Sequence, residues 1–333
     1  MCGRFALHLP RAEIRAQTAA AEWIDEDNFV PRYNIAPRTQ APVLRRSQGS
    51  NPQSDSDSQP STSKLSSQDT LVLQTMKWGL VPHWSKFEDT KMNTTNARAE
   101  NLVDGGGMWQ SLKGRKRCAV VCEGYYEWLT KGKDKLPHFT RHKGGKRLML
   151  MAGLYDSVVL EGSDTPLWTF TIVTTAAAPE FEWLHSRQPV ILSTMEALDR
   201  WLDTSSRQWN DEVAGLLGPY EQKSSPLECY QVPKEVGKVG TESSTFIEPI
   251  DKRKDGIEAM FAKQGAKRKG PPESSRSKVK TEKFVSKAEK PRPEKTSSKP
   301  RLSSAHATKD ESDDEIVILD GPPSHSPRKK MKK

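Results

Sequence analysis

Hydrophobic residues in this chain gather into short runs and do not form long helical stripes. LVLQTMKWGLVP (71–82), CAVVCEGYYEW (118–128), LMLMAGLYDSVV (148–159), WTFTIVTT (168–175) and PVIL (189–192) are β-branched or aromatic and bounded by Gly, Pro or charge. Such runs read as half-buried or buried strands. Pro10 to Trp23 reads as a helix, with Pro in its first turn and Ile14 among Ala-rich positions. Ser193, followed three places later by Glu196, reads as a capping box opening a helix with Leu198, Trp201 and Leu202 on one face. The order is strand-heavy without regular βα alternation and shows no internal repeat. It predicts an α+β fold, with an antiparallel, barrel-like β core and flanking helices.

The pattern fails in two places. Residues 47–69 hold nine Ser in 23 positions and almost nothing to bury, which predicts a disordered insertion within the folded region. Beyond residue 250 the chain turns to Lys, Ser, Pro and Glu, so a single domain over 1–250 and a disordered basic tail over 251–333 are expected. All nine Trp and all six Tyr of the 333 residues precede residue 231, which places the core-forming mass in the first segment. Charge divides in the same way. Of 52 Lys/Arg and 43 Asp/Glu, 23 and 13 lie in the tail, leaving +10 there and -1 in residues 1–250. Nucleic-acid binding by the folded part must therefore come from a local site, not from bulk charge.

No run of about 20 apolar residues suggests a membrane span, and the N-terminus lacks the basic flank and apolar stretch of a secretory signal. Four cysteines, at 2, 118, 122 and 229, form neither a CxxC pair nor a dense framework, which points to a reducing compartment. Cys118 and Cys122 have no second ligand pair nearby. No metal and no cofactor are expected.

The candidate chemistry begins at Met1-Cys2-Gly3-Arg4. A small residue at position 2 permits removal of Met1, leaving Cys2 with a thiol and a free amine on adjacent carbons, both nucleophilic near neutral pH. Such a 1,2-aminothiol takes an aldehyde as a Schiff base and closes through sulfur to a thiazolidine. Three further clusters stand out. Trp78 to Trp84 precedes Asn96-Ala97-Arg98, where Trp84 offers either a stacking platform or a core ring, and Asn96 and Arg98 face one side of an extended segment. Glu127 stands among aromatic residues in Glu123-Gly124-Tyr125-Tyr126-Glu127-Trp128, where desolvation suits a carboxylate to proton transfer. His185 precedes the apolar run that begins at Pro189. Taken singly, each of these also has a structural explanation: a solvated turn, a surface carboxylate between core aromatic residues, a structural histidine.

Together, and in this order, MCGRF, NARAE, EGYYEW and LHSRQPVIL, with YNIAP, WGLVPHW and IVTTAA, resemble the SRAP family of abasic-site-processing proteins. That family includes the eukaryotic 5-hydroxymethylcytosine-binding, embryonic-stem-cell-specific type. The resemblance covers about residues 1–250. It implies that Cys2 traps the ring-opened aldehyde of an abasic site in single-stranded DNA as a thiazolidine crosslink, shielding the lesion. It also implies that Asn96 holds the amine and sugar, that Glu127 orients the amine and moves protons, and that His185 acts as acid/base on the ring oxygen. Arg98 and Arg187 would clamp flanking phosphates with Arg4 nearby, and Pro37, Trp84 and Thr174 would line the DNA path. Gln188 and Ser85 depart from patterns common in the family. Strand cleavage as a lyase is a further activity to consider. Two alternatives remain: an N-terminal-nucleophile peptidase or hydrolase, and a noncovalent reader of modified DNA.

In the tail, Val279-Lys280-Thr281-Glu282 fits the pattern for SUMO attachment at Lys280. Ile316, Val317, Ile318 and Leu319, flanked by acids, fit a SUMO-interacting strand. The basic clusters around 252–254, 267–269 and 328–330 point to nuclear import. A nuclear monomer is expected.

Overall fold

The computed structural model describes residues 2–47, 70–105, 107–221 and 225–252. The Ser-rich insertion beyond Ser47 and the tail beyond Lys252, with Lys280 and the Ile316–Leu319 run, lie outside the described residues.

The strands, in chain order, are β1 (Arg4–Leu7), β2 (Glu22–Ile24), β3 (Arg32–Ile35), β4 (Gln40–Arg46), β5 (Leu71–Trp78), β6 (Asn96–Arg98), β7 (Arg117–Cys122), β8 (Gly124–Lys131), β9 (Asp134–His142), β10 (Met149–Val158), β11 (Leu167–Ala176), β12 (Arg187–Pro189) and β13 (Leu227–Gln231). The helices are α1 (Arg11–Thr18), α2 (Ala99–Val103), α3 (Met195–Leu202) and α4 (Asp211–Ala214). Strands β11, β10, β7, β4 and β5 follow one another in antiparallel order, and a parallel pairing of β5 with β11 closes them into a five-stranded barrel. Closure removes the exposed edges that an open sheet would present. A second sheet, ordered β13-β9-β8-β1-β3, lies alongside. The expected α+β class with a barrel-like core is therefore the observed one, with a parallel seam where the barrel shuts. Among the described residues, no helix is long and apolar enough to cross a membrane.

The chain passes from barrel to second sheet at Cys122-Glu123-Gly124, where the Glu123 N–H donates to the Ala6 carbonyl at 2.8 Å. Gly124 is required by close approach: a Cβ there would lie 2.4 Å from the Thr140 carbonyl oxygen and 2.6 Å from the Phe139 ring. The predicted run 118–128 is thus two strands in two sheets, hinged at this glycine.

Two sequence expectations are corrected locally. The helix predicted over Pro10–Trp23 ends at Thr18, because Ala19 adopts a left-handed conformation at φ 51°. Trp23 instead enters β2, pairing in parallel with Leu73 of β5. The cap of α3 is Thr194, not Ser193: Thr194 is extended and its hydroxyl accepts from the Ala197 N–H at 3.1 Å. The expected apolar face is the observed one, with Leu198, Trp201 and Leu202 buried.

Trp78 ties the core to the site. It is fully buried, with ring centroids 5.1 Å from Phe5 and 6.3 Å from Phe170. Its indole N–H donates to the Thr95 carbonyl at 2.9 Å, one residue before Asn96. Phe5 thereby anchors β1, and with it the N-terminal residues, against the barrel. Truncating such a ring to Ala typically costs ~3–5 kcal/mol.

Candidate functional site

Four segments that are remote in sequence converge at one end of the barrel. β1 runs antiparallel to β8 with Arg4 opposite Tyr126 and Phe5 opposite Tyr125, so the same register carried outward brings the residues before Arg4 beside Glu127. On the barrel side, β6 adds to β11 in parallel, Asn96 opposite Ile172 and Arg98 opposite Thr174. β12 joins the other edge of β11, Arg187 opposite Ala176, and the turn before it carries His185.

Cys2 is buried. Burial pushes its thiol pKa up, and the charge of Glu127 pushes it in the same direction. The sulfur is held as a neutral thiol. The Asn96 amide donates to the Cys2 carbonyl at 3.0 Å. Its own Oδ1 is buried and has no hydrogen-bond partner among the described residues, an acceptor left open beside the N-terminal segment. Glu127 is 4% exposed, between the two buried tyrosines and Trp128. His185 has its pKa lowered by burial, with the Glu127 charge opposing that shift. Its Nδ1 accepts from the Arg187 backbone N–H at 2.9 Å, so the neutral ring carries its proton on Nε2. Through the Glu127 charge, Cys2, Glu127 and His185 are electrostatically one cluster.

Around it, Arg98 is exposed and enters no ion pair among the described residues. Arg187 is engaged: its guanidinium donates to both Glu100 carboxylate oxygens at 2.8 and 3.0 Å and to the Thr174 carbonyl at 2.7 Å. Thr174 is fully buried beneath that guanidinium, so it supports the surface and does not line it. Trp84 is 52% exposed and packs edge-on against His83, with centroids 4.9 Å apart. His83 in turn bonds through its backbone N–H and Nδ1 to the buried Asp156 carboxylate at 2.9 and 3.0 Å. Pro37 borders a groove with Gly79, Pro82, Ser85 and Asn93.

Arg4 is held by groups of the protein itself. Its guanidinium donates to Asn34 Oδ1 at 2.8 Å and to the carbonyls of Val236 and Gly237 at 3.0 and 3.1 Å. It is 9% exposed and fastens the turn at 234–237 to the second sheet. Gln188 is buried with its side-chain carbonyl accepting the Ala178 N–H at 3.1 Å, so it braces the loop that presents His185. Sequence reasoning gave no part to Glu100, although an acid two residues after an arginine expected to bind phosphate is a visible signal. It also gave none to Asp156, whose partner His83 lies 73 residues away.

Comparison with known proteins places this arrangement. Residues 1–239 match the family model described as SOS response associated peptidase (SRAP). An abasic site processing protein of Saccharomyces cerevisiae is 36% identical over 270 residues, covering 75% of this chain and 68% of that one. A second, from Gallus gallus, is 31% identical, covering 75% of this chain and 78% of its own. The fold is shared with a solved protein of Bacteroides thetaiotaomicron at a TM-score of 0.59 and 22% identity, over 74% of this chain and 99% of that chain. With its family model spanning both the barrel and the second sheet, the chain belongs to the SOS response associated peptidase (SRAP) family.

Proposed function

We propose that this protein processes abasic sites in single-stranded DNA by forming a covalent thiazolidine through Cys2 once Met1 is removed, as part of a DNA-damage response. The observation that carries the reading is the Asn96 side chain: one end bonds the Cys2 carbonyl and the other is a buried acceptor with no partner among the described residues. A new amine on Cys2 would supply the donor that this acceptor lacks. The names of the yeast and chicken relatives point to the same lesion.

The neutral state of the thiol favours an order of events. The amine attacks C1′ of the open-chain sugar and loses water to give an iminium, and the thiol then adds to that carbon while Glu127 takes its proton. His185 in its protonated form donates from Nε2 to the ring oxygen of the closed sugar and so speeds its opening to the aldehyde. Arg98 and Arg187 hold the flanking phosphates without reading sequence, and Trp84 and Pro37 offer surfaces for the neighbouring bases. The iminium also acidifies C2′, so strand cleavage by β-elimination competes whenever ring closure is slow. Peptidase activity would use the same thiol on a peptide carbonyl. We further assign the chain to the eukaryotic type of the family, acting as a monomer, and infer from the tail motifs a nuclear location and SUMO contacts through the tail.

The test is an adduct that survives boiling in denaturant, formed on an abasic single strand. Wild type should give it. Cys2→Ala and a variant that retains Met1 should not; no adduct from wild type, as a noncovalent reader or peptidase would require, or equal adduct from all three would reject the reading.

A further inference from the structure

Arg98 and Arg187 flank Thr174 from the two edges of β11, but they are not equivalent. Arg98 enters no ion pair among the described residues, whereas Arg187 already carries a carboxylate. Two parallel N–H···O bonds, 2.8 and 3.0 Å, join its guanidinium to both oxygens of Glu100. This is the geometry with which an arginine takes a phosphate. Glu100 approaches from the solvent side, its side chain 52% exposed against 15% for Arg187. It sits in the first turn of α2, two residues after Arg98, so one short segment supplies an open cation and a cover for the other. The same pairing lowers the Glu100 pKa, which keeps the cover charged at neutral pH.

We propose that Glu100 is a specificity-determining residue of this site, holding the seat of a backbone phosphate on Arg187 in the DNA-free protein and yielding it when a strand binds. This inference rests on the reading of Arg187 as a phosphate clamp. An undamaged strand gains at Arg187 only the difference between phosphate and carboxylate, and it then lies beside a displaced negative charge. Such a strand is released quickly. A strand with an abasic aldehyde is retained by the covalent bond, which does not depend on a tight grip. Discrimination therefore comes from a weakened noncovalent hold on intact DNA, with selectivity left to chemistry.

The test is equilibrium binding of the full chain to a lesion-free single-stranded oligonucleotide over a series of salt concentrations. The proteins are wild type, Glu100→Gln, Arg187→Gln and the double variant, all checked for unchanged melting. Glu100→Gln should bind about 3- to 5-fold tighter, in line with a partly exposed ion pair. Its log affinity should fall more steeply with log salt, by about 0.7 for each additional phosphate neutralised. Both changes should vanish in the double variant. With excess intact strand as competitor, Glu100→Gln should form adduct on an abasic strand more slowly than wild type. Weaker or unchanged binding by Glu100→Gln, with Arg187→Gln weakened as a clamp requires, overturns the proposal and leaves the clamp standing. Unchanged binding by Arg187→Gln removes the clamp itself, and the proposal with it.

Discussion

At the scale of single residues, the chemistry turns on where protons sit. His185 is neutral at pH 7 because burial lowers its pKa from the ordinary 6.5. As a proton donor it should therefore help most in acid. The ratio of adduct rates, wild type over His185→Gln, should be largest at low pH, on the order of 10²-fold. It should fall toward one as pH rises through a midpoint below 6.5. Single-turnover rates between pH 5 and 8 measure this, and a pH-independent ratio would remove His185 from proton transfer. Arg98 is tested by charge reversal. Arg98→Glu should weaken binding to any single strand, damaged or intact, and flatten the salt dependence by about 0.7 or more. Unaltered affinity would take Arg98 out of the phosphate path.

At the scale of elements, two interactions hold the site in place. Gly124 lets β8 approach β9, and the Cβ of Gly124→Ala would meet the Thr140 carbonyl oxygen at 2.4 Å. Chemical denaturation should show that variant ~1–3 kcal/mol less stable, as overpacked sites are. Because β8 carries Glu127, adduct formation should slow as well. Arg117 is buried and donates to the carbonyls of Trp201 and Asp203 at the end of α3, and to the Lys113 carbonyl at 2.7 Å. Arg117→Ala should cost ~2–4 kcal/mol by leaving those acceptors unpaired, and an unchanged melting temperature would contradict this role.

The same elements mark how far the sequence could be read. Strands are legible because their apolar runs are bounded by Gly, Pro and charge, and the runs over β5, β10 and β11 need no tertiary information. The three-residue strand β6 has no such pattern. It exists because Trp78 holds Thr95 and β11 offers an edge. The helix α1 is shorter than its pattern because Ala19, a good helix former, takes a left-handed turn that only the pairing of Trp23 with β5 explains. In the site, Cys2, Asn96, Glu127 and His185 can be named from motifs. The pairing of Arg187 with Glu100 spans 87 residues and that of Arg4 with Val236 spans 232, so the partners themselves could not be matched from local sequence, although Glu100 beside Arg98 is a visible acid.

At the scale of the whole molecule, charge and acid stability are separable from the chemistry. His142 is buried against the Ser225 hydroxyl, with its pKa lowered to about 4 by burial. The unfolded chain, with His near 6.5, takes up that proton first, so stability should decline as pH falls from 6.5 toward 4. Denaturation midpoints for His142→Gln should decline less over that window, and an identical pH dependence would contradict the assignment. Residues 251–333 carry +10 while the rest of the chain carries -1. Deleting them should lower nonspecific affinity for single strands at low salt, yet leave adduct yield intact when DNA is saturating.

The most direct measurement is mass spectrometry of the N-terminal peptide after reaction of the natively processed protein with an abasic oligonucleotide. Thiazolidine formation at Cys2 predicts a peptide that begins at that residue and bears the sugar with loss of one water, its amine and its thiol both closed to labelling reagents. A DNA-bearing peptide that still carries Met1, or an adduct on any other residue, would contradict it.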